Sequence, residues 1–81
     1  MRHDPERGVF EQDTPTGPAW VSYAMRPDDV FEITYTFVPP AGRSGGLGAR
    51  MVLEARDWAR DHGHTVTASC GFAARVLAGA P

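Results

Sequence analysis

Hydrophobic and polar residues alternate most regularly along residues 30–38. Large apolar side chains occupy the odd positions and polar ones the even positions: Phe31, Ile33, Tyr35 and Phe37 alternate with Glu32, Thr34 and Thr36. A period of two is typical of a β-strand with one apolar face, so this segment predicts a strand. Residues 19–26 show the same period, and residues 8–12 form a shorter candidate strand. Because the connections are short, the three strands are expected to form an antiparallel meander covered on one face.

The period changes from that of a strand to that of a helix after Pro39 and Pro40, which cannot donate to a sheet ladder. From residue 46 to residue 62 the apolar side chains form a single helical stripe: Leu47, Met51, Val52, Ala55, Trp58 and Ala59. Gly63 is typical of the left-handed residue that ends a helix. The sequence therefore predicts one amphipathic helix over 46–62.

Two further elements complete the chain. Residues 64–70 favour a strand, and the alanine-rich segment 71–78 suits a short helix. A strand that follows a crossover helix almost always lies parallel to the strand before it, so 64–70 is expected to pair in parallel with 30–38. The predicted fold is α+β, in the order β-β-β-α-β-α with a mixed sheet. It occupies residues 8–81 as one domain, after a flexible lead-in over 1–7.

Composition narrows the class of protein. The chain has 81 residues and a net charge of −2, and its eight basic residues are scattered arginines, a pattern that does not favour nucleic-acid binding. No apolar run approaches the roughly 18 residues of a membrane span, and the polar start lacks the apolar region of a signal peptide. The single cysteine, Cys70, agrees with a reducing compartment. We therefore expect a cytoplasmic protein that binds neither nucleic acid nor membrane.

A glycine-rich segment joins the third predicted strand to the long helix. Four glycines fall between positions 42 and 48, where the backbone is free to approach a ligand. The helix begins near Arg43 and Arg50 and without an acid, so its free N–H groups remain available to an anion. The segment lacks the Gly-Lys-Ser/Thr ending of a Walker A loop and the order of a dinucleotide fold. It is either an anion-binding loop or a merely flexible connection.

The pattern Arg43-x-x-Gly46-x-Gly48 resembles the pyrophosphate loop of the GNAT N-acetyltransferases, Gln/Arg-x-x-Gly-x-Gly/Ala. The likeness extends from about residue 8 to the C-terminus. It includes Val38-Pro39-Pro40 before the loop and Ser69-Cys70-Gly71-Phe72 after the helix. Taken together, these segments resemble the small single-domain GNAT-like family that carries a cysteine after the strand following its main helix.

The resemblance implies a minimal GNAT-like fold that binds acetyl-CoA or coenzyme A and transfers an acetyl group to an amine, which is unidentified here. Its pyrophosphate would bind to the loop, and its pantetheine arm would run between strands 30–38 and 64–70. The cofactor-binding residues that the resemblance implies are Val38, Arg43, Ser44, Gly45, Gly46, Leu47 and Gly48.

Three departures from that family pattern bear on the chemistry. Tyr35 and Phe37 stand where the family often has His and Glu, which removes protonatable groups from beside the acyl site. Gly45 occupies a position that is commonly polar. Val76 and the ending 78–81 replace a Tyr and a basic tail. The alternative function is therefore a non-catalytic CoA-binding or protein-interaction module on the same fold.

Cys70 has two interpretations. At the start of the last helix its thiolate would be stabilised by the helix dipole, and the resemblance implies that it is the catalytic nucleophile. Free cysteine is also among the most buried residue types, and Val66, Ala68 and Phe72 are apolar neighbours that would suit a core thiol. His62 and His64 lack a third ligand nearby and make a poor zinc site, so no metal is expected.

Overall fold

The computed structural model describes residues 1–80, apart from the side chains of Gly42 and Ser44. Within that part of the chain it contains five strands and two α-helices: β1 (Arg2–Asp4), β2 (Val9–Thr14), β3 (Gly17–Arg26), β4 (Val30–Phe37), α1 (Leu47–Asp61), β5 (Thr65–Ala68) and α2 (Gly71–Ala78). Two 3-10 turns, Pro27–Asp29 and Pro40–Gly45, flank β4. None of the helices in the described residues is long and apolar enough to cross a membrane.

The strands form a single mixed sheet in the order β1-β2-β3-β4-β5. The first four strands pair antiparallel, and β5 lies parallel to β4 from Val30↔Thr65 to Ile33↔Ala68. The predicted α+β class, mixed sheet and parallel crossover are confirmed. Gly63 adopts the left-handed conformation expected after the long helix, with φ at 81°.

The sheet has one strand more than the sequence predicts. Strand β1 lies within residues 1–7, which were expected to be a flexible lead-in, and pairs with β2 from Arg2↔Glu11 to Asp4↔Val9. Three residues are too short to show a period, and the strand is stabilised by side chains instead. Arg2 forms an ion pair with Asp13, and the ring of His3 stacks on Phe10 at a centroid distance of 4.1 Å.

Both helices contribute to one hydrophobic core on the same side of the sheet, so the protein has two layers. The core combines strand residues with the apolar stripe of α1 and one alanine of α2: Phe10, Ala19, Val21, Phe31, Ile33, Val38, Leu47, Met51, Val52, Ala55, Ala59 and Ala73. The opposite face of the sheet carries no helix in the described residues. We call it the open face.

A β-bulge interrupts β4 at Thr34. Tyr23 pairs with Ile33, but the preceding residue of β3, Ser22, pairs with Tyr35, so Thr34 has no partner on β3. An extra residue in one strand reverses the faces on which the later side chains lie. Odd-numbered residues of β4 therefore face the core before Thr34, and even-numbered residues lie on that side after it.

Because of the bulge, the apolar residues of β4 do not all lie on the one face that the sequence predicted. Thr36 pairs with the fully buried Val21 and so lies on the helix side, whereas Phe37 pairs with Trp20 on the open face. The Trp20 and Phe37 rings stack there with centroids 4.5 Å apart. Tyr35 also lies on the open face and is 53% exposed. The faces predicted from the alternation are thus wrong for Tyr35, Thr36 and Phe37.

Candidate functional site

A cavity of about 380 Å³ opens where β4 and β5 separate. The last pair between these strands is Ile33↔Ala68, whereas β4 continues to Phe37 and the chain after β5 turns into α2. The cavity is lined by the end of β4, the following turn and the starts of both helices: Tyr35, Thr36, Phe37, Val38, Arg43, Gly46, Gly48, Ala49 and Phe72. Its volume lies within the range of small-molecule sites.

The start of α1 forms one wall of this cavity. Gly46 precedes the helix in the left-handed conformation, with φ at 74°, and none of the described side chains caps the first turn. The first turn contains no acidic residue. Because the first N–H groups of a helix lack intrahelical partners and carry partial positive charge, this end of α1 is suited to an anion.

Gly48 allows the three elements around the cavity to approach closely. A Cβ on this residue would lie 3.2 Å from the Phe72 ring of α2 and 3.3 Å from Val38 Cγ2 at the end of β4. A Cβ on Gly45 or Gly46 would meet no atom of the described residues within 4 Å. A side chain at position 48 would therefore crowd Phe72 and Val38, whereas positions 45 and 46 leave open space among the described atoms beside the start of the helix.

Arg43 is held in the cavity wall by two contacts. Its Nε donates a hydrogen bond of 2.8 Å to the carbonyl oxygen of Val38, and its guanidinium carbon lies 6.0 Å from the centre of the Phe37 ring. The first contact fixes the base of the guanidinium group, and the second is of the cation–π kind. The positive charge is thus kept beside the N-terminus of α1.

Four of the seven predicted cofactor-binding residues come together around the cavity: Val38, Arg43, Gly46 and Gly48. Gly45 and Leu47 are not among the described lining residues. Leu47 directs its side chain into the core, where it is 8% exposed, so only its backbone N–H remains for a ligand. The side chain of Ser44 lies outside the described part of the chain.

Cys70 occupies the N-cap position of α2 and is half-buried. Burial acts to raise the pKa of its thiol, but the backbone N–H groups of Ala73 and Phe72 and the hydroxyl and backbone N–H of Thr36 act in the opposite direction, and the net pKa is lowered. These donors all favour the thiolate. Cys70 itself does not line the cavity but lies next to two residues that do, Thr36 and Phe72.

Thr36 is the functional candidate that sequence reasoning missed. Its hydroxyl oxygen lies 3.9 Å from Cys70 Sγ. The period of two placed Thr36 on the solvated face of the strand, and only the bulge turns it toward α2. No periodic signal in the sequence marks that bulge.

Glu32 is the carboxylate nearest to the site along β4, but it is already engaged. It accepts hydrogen bonds from Arg26 Nε at 2.9 Å and from Ser69 Oγ at 2.6 Å. The bond from Arg26, followed by that from Ser69, lowers the pKa of Glu32. A carboxylate stabilised in this way is a poor proton acceptor.

The histidines lie at the other end of α1, in a cluster of rings around Trp58. His62 stacks on the Trp58 ring at 4.1 Å, and the centre of the His3 ring lies 4.5 Å from that of Trp58. His3 also forms a hydrogen bond of 2.6 Å with the Tyr23 hydroxyl. This cluster secures β1 to the core.

One protein-family model matches this chain, and it is described as GCN5-related N-acetyl-transferase. The match covers residues 9–81, from the start of β2 onward. No curated protein matches the chain. The family match thus includes every described residue that lines the cavity, as well as Cys70 and Thr36.

Proposed function

The chain belongs to the GCN5-related N-acetyltransferase family, and from that premise we propose that it is an acetyl-CoA-dependent N-acetyltransferase with Cys70 as its nucleophile. The observation that carries the proposal is the convergence of two helix N-termini on one cavity. The start of α1 offers a site for phosphate, and the start of α2 stabilises a thiolate. We place the protein in the cytoplasm, where reducing conditions keep Cys70 free.

The residues around the cavity suit the donor. Coenzyme A carries a pyrophosphate, which the free N–H groups at the start of α1 would bind, with Arg43 adding charge-assisted hydrogen bonds. The open space beside Gly45 and Gly46 leaves room for phosphate oxygens next to the backbone. Glycine at 48 keeps the approach between Val38 and Phe72 free of a Cβ.

The end of β4 suits an amide-bearing chain. Strand β5 ends at Ala68, and the backbone N–H groups of Ser69 and Cys70 both bond to the carbonyl of Ile33. Beyond Ile33 the cavity-side edge of β4 therefore has no strand partner in the described residues. Edge groups of this kind bind an extended chain by hydrogen bonds, as a paired strand would.

Acetyl-CoA supplies an acetyl thioester. The Cys70 thiolate, which the N–H groups of Phe72 and Ala73 and both donors of Thr36 stabilise, attacks the acetyl carbonyl carbon. The new C–S bond to Sγ forms, the thioester C–S bond of acetyl-CoA breaks, and coenzyme A leaves as a thiolate that takes a proton from water. An amine nitrogen then attacks the carbonyl carbon held on Cys70. The new C–N bond forms, the C–S bond breaks, Cys70 regains the thiolate, and the amine proton passes to water.

Isothermal titration tests the donor site. Acetyl-CoA and CoA are expected to bind, and Arg43→Ala is expected to weaken both about tenfold, the value of one charge-assisted hydrogen bond. Arg60→Ala, in the last turn of α1, serves as the charge-matched control and should bind like the unchanged protein. Pantetheine, which lacks phosphate, should bind equally to the Arg43→Ala variant and the unchanged protein. An absence of binding at millimolar ligand would overturn the proposal.

Intact mass spectrometry after incubation with acetyl-CoA tests the nucleophile. One acetyl group is expected on the unchanged protein and none on Cys70→Ala. Transfer to amines at full rate by Cys70→Ala would contradict the covalent route and leave direct transfer from acetyl-CoA.

The second candidate function is a non-catalytic CoA-binding or protein-interaction module. The observation in its favour is that Tyr35 and Phe37 line the cavity without supplying a base, while Glu32 is committed to Arg26 and Ser69. Binding of CoA without acetylation of Cys70 or of any amine would establish this module.

A further inference from the structure

Two aromatic residues of β4 line the cavity and form what we call its aromatic wall. Tyr35 and Phe37 form it, because the bulge at Thr34 turns both rings to the open face. Trp20 stacks behind Phe37 at 4.5 Å with 29° between the ring planes. The Tyr35 ring, which belongs to a residue that is 53% exposed, is the part of this wall that offers stacking to a flat, apolar ring in the cavity.

The charge around this wall does not favour a cation. Among the described lining residues only Arg43 and Tyr35 carry ionisable side chains. The Arg43 guanidinium lies 6.0 Å from the Phe37 ring and therefore occupies the position from which an ammonium would contact that ring. A positively charged amine would meet a like charge there, whereas an uncharged amine would not.

No described imidazole or unpaired carboxylate is placed to remove a proton at the wall. The imidazoles pack around Trp58, about 15 Å along α1 from Gly48 at a rise of 1.5 Å per residue. Glu32 is held as a carboxylate by Arg26. An alkylamine has a pKa of about 10, so only about one molecule in a thousand is uncharged at neutral pH and ready to attack.

An aromatic amine avoids both difficulties, because its nitrogen lone pair is delocalised into the ring and the amine is uncharged at neutral pH. We propose that the acceptor is an aromatic amine, whose ring stacks on the exposed Tyr35 ring at the edge of the cavity and whose nitrogen needs no protein base. The inference rests on the proposed transferase activity and names the substrate class of the same cavity.

The transfer is balanced without a further reactant. The nitrogen lone pair attacks the carbonyl carbon of the acetyl thioester on Cys70, the C–N bond forms, and the C–S bond breaks. The electron pair of that bond returns to Cys70 Sγ, beside the N–H groups of Phe72 and Ala73. The nitrogen loses its proton to water.

Aniline and benzylamine provide a matched pair of probes, since both carry one phenyl ring and differ in whether the nitrogen is charged. Protein already acetylated on Cys70 is mixed with each amine in a single turnover. Each rate is divided by the rate of the same amine with a free acetyl thioester, because delocalisation of the lone pair also makes aniline the weaker nucleophile. At neutral pH this normalised rate is expected to be at least about tenfold higher for aniline than for benzylamine, because the protein favours the uncharged aromatic amine. The benzylamine rate should rise about tenfold per pH unit below its pKa, as its uncharged fraction does. An equal or higher normalised rate for benzylamine at neutral pH would overturn the inference.

Substitution of Tyr35 supplies the second arm. Tyr35→His places an imidazole at the wall and is expected to raise the benzylamine rate at neutral pH at least about tenfold relative to Tyr35→Phe. Tyr35→Phe keeps the ring and is the matched control. Loss of the preference for aniline in Tyr35→Phe would show that the phenol oxygen, not the aromatic wall, selects the acceptor, and would contradict the inference.

Different results would overturn the covalent route through Cys70 and the choice of an aromatic amine as acceptor. If Cys70 is not acetylated, the covalent route fails, and the same two amines are compared with acetyl-CoA present, which tests the acceptor class by direct transfer. If Cys70 is acetylated and neither amine receives the group, the transferase half-reaction stands and the acceptor inference is overturned.

Discussion

Cys70 Sγ lies 3.9 Å from the hydroxyl oxygen of Thr36, across the gap where β4 and β5 separate. The Cys70 thiol donates to this oxygen, and after it loses its proton the Thr36 hydroxyl donates in return. The backbone N–H of Thr36 also acts on the sulfur, so one residue of β4 supplies two donors to a thiolate at the start of α2. The contact joins the strand that would bind the donor to the helix that would activate the nucleophile.

The first prediction concerns this contact. Thr36→Val removes the hydroxyl while keeping a β-branched side chain of similar shape, so the pKa of Cys70 should rise toward that of an ordinary thiol. Alkylation by iodoacetamide at neutral pH is expected to slow about fivefold, the equivalent of one hydrogen bond of about 1 kcal/mol. The pH dependence of the alkylation rate measures the change.

Thr36→Ser is the control, because it retains the hydroxyl and should keep the thiol reactive. A purely structural role for Thr36 would change the unfolding free energy in both variants without moving the alkylation profile. An unchanged profile in Thr36→Val would therefore show that the hydroxyl does not stabilise the thiolate.

A second prediction concerns the packing at Gly48. An alanine there would place its Cβ 3.2 Å from the Phe72 ring and 3.3 Å from Val38 Cγ2. Overpacking costs about 1–3 kcal/mol, and the better helix propensity of alanine offsets part of that, so the free energy of unfolding should fall by about 1 kcal/mol. Urea denaturation measures this value.

Gly45→Ala is the matched comparison, since its Cβ would meet none of the described atoms within 4 Å. That variant should be as stable as the unchanged protein or more stable, because alanine restricts the unfolded chain. A Gly48→Ala variant that is equally stable would show that Phe72 moves aside without cost.

The third prediction concerns the pH dependence of stability. Burial lowers the pKa of His3 below its usual 6.5, and repulsion from His62 acts in the same direction. The nearby Asp4 opposes this effect but does not cancel it. The unfolded chain then binds more protons than the folded one, so the free energy of unfolding rises with pH in this range. Stability should be fully present above about pH 7 and decline as the pH falls through 6.5 and below.

His3→Phe separates this effect from others, since it keeps a ring to stack on Phe10 and cannot be protonated. Urea denaturation between about pH 5 and about pH 7.5 should show a smaller slope for the variant than for the unchanged protein. The lowered pKa values of Asp4, Asp13 and Glu32 act at more acidic pH and do not contribute in this window. An unchanged slope would assign the effect to another group.

Much of the fold could be predicted because it depends on period and on turn chemistry. The stripe that begins at Leu47 predicted α1 over 46–62, and the helix runs over Leu47–Asp61. Gly63 ended it as expected. The parallel pairing of β5 followed from the handedness of crossover connections. Strand β1 was missed because it is short and its stability comes from contacts with distant residues.

The parts of the site that could be predicted are those that local sequence determines, namely where each helix begins. The glycines around the start of α1 and the place of Cys70 at the start of α2 follow from local sequence. The environment of the thiol does not, because Thr36 reaches it through a bulge that leaves no mark on the alternation. Which residues line the cavity likewise depends on where β5 ends relative to β4.

The bulge at Thr34 divides β4 into a part that packs against the helices and a part that lines the cavity. Before it, Phe31 and Ile33 hold the sheet to the helices, and a substitution there bears on folding alone. After it, the same alternation is offset by one residue, so aromatic rings stand over the opening and a threonine faces the thiol. Removing one residue at the bulge would give a more regular strand and interchange those two groups. The irregularity thus lets one strand pack the core with Phe31 and Ile33 and line the cavity with Tyr35, Thr36 and Phe37.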